Sequence, residues 1–287
     1  MNIELLQQAL VEFKESLENA ITTATFSGKT YDNGQAAKTG LIRSQKLIML
    51  IHEVVKESIV EKLEAENIQH TIFPRVGQTS PELKISGFIK AKQQDVVVLF
   101  DNDRPIPEEI TEGPLAGSMD IVGKRQSERS IIIGIRSQMS SVAKNFDTLM
   151  ERAFAETLNI RLRLPNTVMG EVYLLPLVEY DDLAMVNNTI SWNRGNIPVE
   201  KFINTFVGIS GRKGSETEND LYKYERSALI LVDFRTSPPK LFRSLDELKE
   251  GNFVQQSFEA IFDLLSPVNF AEDIIEAHKE RHNVGAD

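Results

Sequence analysis

The segment IIIGIRSQMSSVAKNFDTLMERAFAE, residues 131–156, places a strand that ends on a cation directly ahead of an amphipathic helix. Side chains alternate along a strand, so Ile131, Ile133 and Ile135 share one face while Ile132, Gly134 and Arg136 share the other. A guanidinium at the end of a buried strand either closes a salt bridge or meets an anionic ligand. On the helix, Phe146, Leu149, Met150, Ala153, Phe154, Thr157 and Leu158 are expected to form the buried stripe, with Asp147 and Glu151 stacked at its edge. From that edge Glu151 is within reach of a neighbouring strand end, which makes Arg136–Glu151 the expected encounter. The bland alternative is structural: Arg136 closes an ion pair, and Asp147 favours the positive N-terminal end of the helix. Local charge points to the anionic ligand. From Arg136 to Pro165 five basic residues (Arg136, Lys144, Arg152, Arg161, Arg163) stand against three acidic ones, whereas Lys240 to Asp287 carries ten carboxylates against five Lys and Arg.

Other constellations carry less chemistry. Gly208, Gly211 and Gly214 in GISGRKGS lack the spacing of a phosphate-binding P-loop and read as turn residues. His278 and His282 in HKERH stand one helical turn apart, a metal-ligand spacing, but no third ligand is evident and exposed helix is the expectation. His52 and His70 have no local partner that suggests catalysis. Asp181 and Asp182 follow a strand, where a turn is ordinary, and no G-x-S-x-G elbow is present.

The elements that must position Arg136 can be read from periodicity. Ile3, Leu6, Leu10, Phe13, Leu17 and Ile21 predict a first helix, and residues 25–40 read as a loop. A long helix is expected over about 41–65. Strands are expected at 84–92, 95–100, 118–122, 130–136, 170–180 (bent at Pro176) and 227–234. Helices are expected at 143–162 and 198–207, and in SLDELKEG, VQQSFEAIFDLL and EDIIEAHKE. The pattern predicts one α/β domain over 1–287, with a helical N-terminal part (1–70), a core (84–180) and a C-terminal elaboration (181–287).

Bulk properties narrow the class. Apolar residues make up 41% of the chain and charged ones 26%, which suits a protein with a sizeable core. No window approaches a membrane span, and the N-terminus reads as an amphipathic helix, unlike a secretory leader. The absence of cysteine excludes disulfides and thiolate zinc sites and suits a cytoplasmic location. A net charge of −10 counts against indiscriminate nucleic-acid binding but leaves room for a local basic cleft.

In QQDVVVLF, in GSMDIVG followed by SERSIIIGIRSQ, and in KNFDTLMERAFAE, the chain resembles the PD-(D/E)XK nucleases, more specifically the type II restriction endonucleases. The likeness covers roughly residues 84–180. It implies a restriction-endonuclease-like core, a mixed sheet flanked by helices, in a bacterial or archaeal cytoplasmic enzyme. It also implies Mg²⁺-dependent, sequence-specific cleavage of double-stranded DNA by a homodimer, with a cognate methyltransferase protecting the same site. Carried over by position, the first acid of the motif is Asp95, which opens the better strand, or Asp120, which has the better spacing. Where the family has its second acid this chain has Gly134, and where it has lysine this chain has Arg136. Glu151 then becomes the implied second carboxylate, with Gln138 or Lys144 sharing the work of the lysine.

The chemistry explains that choice of residues. A phosphodiester repels nucleophiles, and Mg²⁺ held by carboxylates through hard oxygen ligands neutralises the phosphate and activates water. The expected metal set is therefore Asp95 or Asp120 together with Glu151, with Arg136 on the phosphate. A catalytically silent nucleic-acid- or protein-binding module on the same fold is the alternative, favoured by Gly134 and Arg136. For DNA contact, Lys144 and Asn145 stand at the start of the helix beside the centre. Base and phosphate contacts are expected from loops carrying Trp192, Asn193 and Arg194, and Arg212, Lys213, Lys223 and Arg226.

Overall fold

Runs of β-branched and aliphatic residues too apolar for one wet face, such as VVVLF, IIIGI and SALILV, build the centre of the molecule. A computed structural model describes residues 1–100, 105–193, 195, 197–214 and 220–283. The chain begins with α1 (Ile3–Thr23), a small hairpin of β1 (Thr25–Phe26) and β2 (Lys29–Thr30), α2 (Gly34–Arg43) and α3 (Lys46–Ala65). Next come β3 (His70–Phe73), β4 (Leu83–Ser86), β5 (Ala91–Gln94), β6 (Val96–Phe100), β7 (Glu108–Glu109), β8 (Met119–Asp120), α4 (Lys124–Glu128) and β9 (Ile131–Ser137). The remainder is α5 (Val142–Arg161), β10 (Val168–Pro176), α6 (Asp182–Val186), α7 (Val199–Gly208), β11 (Arg226–Asp233), β12 (Lys240–Phe242), α8 (Leu245–Glu250), a 3-10 turn (Phe262–Leu265) and α9 (Phe270–His282).

Six strands form one mixed sheet in the order β12-β11-β10-β9-β6-β3. The central β9, β10 and β11 run parallel, and β6, β3 and β12 are added antiparallel. Val96, Val98, Ile131, Ile133, Ile135, Val172 and Ile230 face a core shared with α1, α3 and α9. Val97, Ile132, Met169, Tyr173 and Leu229 face a second core, closed by Phe146, Ala153 and Ile160 of α5 and Phe202 and Phe206 of α7. The molecule is thus α/β, with helices on both faces of the sheet. Among the described residues no helix is long and apolar enough to cross a membrane.

Several expected boundaries shift, each for a local reason. The expected loop over 25–40 contains the β1–β2 hairpin and α2, whose first turn is capped by the Asn33 side chain on the Ala36 N–H. The expected 41–65 helix breaks at Ser44 and Gln45, the latter in the left-handed region at φ 63°. Residues 84–92 run from β4 through a turn at 87–90 into β5 instead of forming one strand. That turn packs against Asn159, which accepts the Ile89 and Lys90 N–H groups and leaves no space for a Cβ at Gly87. VQQSFEAIFDLL condenses only into the 3-10 turn. The stretch after residue 181 is more than an elaboration, since it supplies β11 and β12 to the main sheet.

Candidate acid–arginine site

Strand register assembles the site. β6 pairs Val96 with Ile133, so Asp95, the residue before β6, continues that register to the level of Gly134. On its other side Gly134 pairs with Glu171 of β10, and Glu171 in turn pairs with Ser227 of β11. Residues level across neighbouring strands project to the same face. Asp95 and Glu171 therefore flank Gly134 from either side, and Arg136 lies two residues further along the same face. A Cβ at position 134 would fall inside the van der Waals envelope of Glu171 Oε2, with the Arg136 guanidinium as a further neighbour. The space beside Gly134 is filled by the carboxylate of the adjacent strand.

The electrostatics of this group are unbalanced. Glu171 is 1% exposed, and neither of its carboxylate oxygens accepts a hydrogen bond among the described residues. Arg136 Nη1 stands 3.1 Å from Oε1, an ion pair without hydrogen-bond alignment. Burial pushes the Glu171 carboxyl up to about 7; Arg136 pulls it down, while Glu156 and Asp95 push it further up. Arg136 is held in its charged form, chiefly by Glu171, and its Nη2 donates to Glu156 Oε2 at 2.5 Å. Lys92 of β5 pairs with the other oxygen of Glu156. Asp95 Oδ2 accepts the Ile135 N–H at 2.7 Å, which fixes the carboxylate against β9. The Tyr173 hydroxyl, buried and without a hydrogen-bond partner among the described residues, lines the same face; burial and then Glu171 raise its pKa.

A second carboxylate on the same sheet has the opposite surroundings. Glu225, just before β11, receives Arg161 at 2.5 Å and the Met169 N–H at 2.6 Å on Oε2. Its Oε1 receives Arg212 at 3.1 Å and Arg281 at 2.7 Å. Burial alone would raise this carboxyl, but Arg161, Arg281 and the Met169 N–H together hold it below the usual carboxylate range.

The residues expected from the sequence separate accordingly. Asp95 and Arg136 come together. Asp120 does not join them: it sits in the β7–β8 hairpin, fully buried, 2.7 Å from Arg163 Nη1 and accepting the Val122 N–H at 3.2 Å. Glu151 is exposed on α5. At about 100° per residue it lies roughly 160° around the helix from Ala153, the centre of the buried stripe, whereas Glu156 lies about 60° away. Glu156 is accordingly the helix carboxylate that meets Arg136, and Phe154, expected in the stripe, is 42% exposed. The Gln138 side-chain amide turns to the Ser140 carbonyl. Lys144 is exposed and Asn145 partly so, both in the first turn of α5.

Arg212, expected to contact DNA, is 4% exposed and committed to Glu225, so it has no route to a phosphate. Lys213 is exposed, and Lys223 pairs with Asp220 at 3.0 Å. Arg194 lies outside the described residues. The HKERH helix is not exposed at His278, which is 1% exposed, stacked on Phe100 at 3.7 Å and directed to the Arg129 carbonyl at 2.8 Å.

Sequence reasoning missed Glu171 and Glu156. The available signal for Glu171 was one charge inside VMGEVYLLP, a nine-residue strand buried throughout. Among the described residues no three His, Asp or Glu side chains converge into a ready metal cage. Asp95 and Glu171 are the pair of carboxylates that could hold a hard cation such as Mg²⁺, which needs only one or two, with water and phosphate completing its shell. The two unbonded oxygens of Glu171 suit that role. Compared with known proteins, the chain matches no family model, no curated protein and no solved structure.

Proposed function

We propose that the protein is a Mg²⁺-dependent endonuclease acting on double-stranded DNA, with Asp95 and Glu171 as the metal-holding carboxylates and Arg136 as the phosphate-facing cation. The observation that carries this reading is Glu171: a buried carboxylate, raised to about 7, with both oxygens unbonded beside a second carboxylate. The antiparallel β6–β9 pair, the α5 crossover and parallel β10 also support a restriction-endonuclease-like core.

Asp95 is pre-oriented by the Ile135 N–H, so one carboxylate is fixed before a ligand arrives. Arg136 keeps its charge at any working pH and can present donors to a phosphate oxygen as its contact to Glu156 loosens. Glu156 retains Lys92 when it does so, and the two cations then border the same anion path. When bound, Mg²⁺ supplies the charge neutralisation and the activated water that phosphodiester hydrolysis requires. Burial of Glu171 and Tyr173 excludes bulk water behind the reacting phosphate, which strengthens each of these interactions. A twofold DNA site calls for a homodimer, and a cellular role in restriction calls for a methyltransferase of matching specificity in the same cytoplasm.

One observation favours a second reading, a DNA-binding module without chemistry: Arg136 already contacts both Glu171 and Glu156, neutralising the centre without a metal. Plasmid incubated with Mg²⁺ separates the two. The nuclease reading expects discrete fragments from the wild type and none from Asp95→Asn or Glu171→Gln, with duplex binding in Ca²⁺ retained. Sequence-dependent binding without cleavage, and no Mn²⁺ uptake by calorimetry, would establish the module instead. Cleavage by both variants at the wild-type rate would remove this site from the chemistry.

A further inference from the structure

A cleft of about 1080 Å³ opens beyond the C-terminal ends of β10 and β11, where Leu177 and Val178 leave the sheet. Its walls include Trp192, Asn193, Phe253 and Arg235. The indole of Trp192 packs on Tyr180 with ring centroids 4.3 Å apart, so that wall is firm. Arg235 is held by its neighbour two residues back. Its Nε donates to Asp233 Oδ1 at 2.9 Å and Oδ2 at 3.1 Å, its Nη2 donates to Oδ2 at 2.8 Å, and its backbone N–H adds a bond to Oδ1 at 2.9 Å. Asp233 is 5% exposed, and the Phe253 ring lies 5.7 Å from the guanidinium carbon.

Four hydrogen bonds to one buried carboxylate are more than a surface ion pair needs, and an ordinary exposed pair contributes little to stability. Their geometric result is that one edge of the guanidinium is consumed and the other is fixed. Nη1 has no partner among the described residues, and the Arg235 side chain is 45% exposed on the cleft. A planar pair of donors, pre-oriented and facing an open cleft, matches two acceptors in one plane, as on the N7 and O6 edge of guanine. Leu177 is six residues beyond Glu171, so the cleft lies about 20 Å from the acid–arginine site along β10. That is about six base-pair steps, within a single duplex footprint.

We infer that Arg235, buttressed by Asp233, reads a guanine in the major groove of the duplex and sets one position of its sequence preference. The inference rests on the duplex-binding part of the proposed function. The test is selection from a randomised duplex pool in Ca²⁺ with the wild type, Arg235→Lys and Arg235→Gln, after checking that each variant melts cooperatively. Arg235→Lys keeps the charge but loses the fork, so it serves if Arg235→Gln does not fold. Wild-type sites should share a guanine that either variant no longer requires, and affinity for the wild-type site should fall about ten- to hundredfold. Replacing that guanine by 7-deazaguanine should weaken the wild type and leave Arg235→Gln unaffected. An unchanged consensus and affinity would overturn the inference, as would a uniform loss across all sequences, the mark of a phosphate contact. Duplex selection without Mg²⁺ cleavage sinks the nuclease reading and spares this one. A wild type that binds no duplex sinks both.

Discussion

Glu171 and Glu225 are both 1% exposed at the side chain and carried by or beside adjacent parallel strands, yet one carboxyl is raised and the other lowered. The difference is the number of donors supplied. Glu225 has three arginines and a backbone N–H distributed over both oxygens. Glu171 has one unaligned arginine and, among the described residues, no hydrogen bond. Burying a carboxylate is costly unless its lone pairs are filled, so Glu225 is complete without a ligand and Glu171 is not. A buried charge by itself is no sign of function. In this contrast the deficit of partners, and not burial, is what marks Glu171 as the candidate binding group.

The largest effect expected from this contrast is on folding, at Glu225. Glu225→Gln removes the charge that Arg161, Arg212 and Arg281 share, whose side chains are at most 3% exposed, and should cost about 3–5 kcal/mol of unfolding free energy. Urea denaturation measures this directly. A loss under about 1 kcal/mol would mean that the three arginines find solvent or other partners, and the distinction drawn here would lapse.

At Glu171 the sign reverses. Burial pushes the folded-state carboxyl up to about 7 from its ordinary 4.5, so the folded protein keeps this proton after the unfolded chain has lost it. Stability therefore falls as pH rises from about 4.5 to 7, and the penalty is complete above that window. Glu171→Gln should recover up to about 3 kcal/mol at pH 8 and almost nothing at pH 4, while abolishing metal uptake. Paired urea titrations at the two pH values would show it. A variant equally destabilised at both would place Glu171 with Glu225, as a structural group.

Much of this contrast was hidden in the sequence. The strand ending on Arg136 and the helix after it are legible because period-2 and period-3.6 patterns are local. Asp95 is legible as a polar residue opening VVVLF. Glu171 as the partner of Gly134 is not, because it depends on how β10 slides against β9, and either register leaves that strand buried on both faces. Glu151 is the helix carboxylate the sequence suggests, and Glu156 goes unseen, for a related reason. Phe154 and Leu158 drew the expected stripe towards their side of the helix, while the observed stripe turns the other way through Ile160. Asp120 had suitable spacing, but spacing cannot reveal that Arg163, forty-three residues on, is folded against it.

Asp120 supplies an intermediate test, since it was the competing first acid. Asp120→Ala leaves Arg163, whose side chain is 8% exposed, without its nearest carboxylate, and should cost about 2–4 kcal/mol. Because Asp120 bonds to the β7–β8 region and not to Arg136, divalent-cation affinity should stay within about twofold of wild type, less than 0.5 kcal/mol. Calorimetric titration with Mn²⁺ on the folded variant decides it. A tenfold loss there would return Asp120 to the metal site and displace Asp95.

The smallest expected effect isolates the contact that defines the site. A methyl group at position 134 would press on Glu171 Oε2, so Gly134→Ala should cost about 1–2 kcal/mol in the wild type. In a Glu171→Ala background the obstruction is gone, and the same change should be neutral or stabilising by up to about 1 kcal/mol, as expected where alanine replaces a strand glycine that needs no special backbone angle. Gly134 is free of that need, since it is not among the positive-φ glycines. The double-mutant cycle should therefore give a coupling of about 1–3 kcal/mol. Zero coupling would show that Glu171 swings clear at no cost, in which case its carboxylate is not held beside Gly134 and the site lacks the second acid that the proposed chemistry requires.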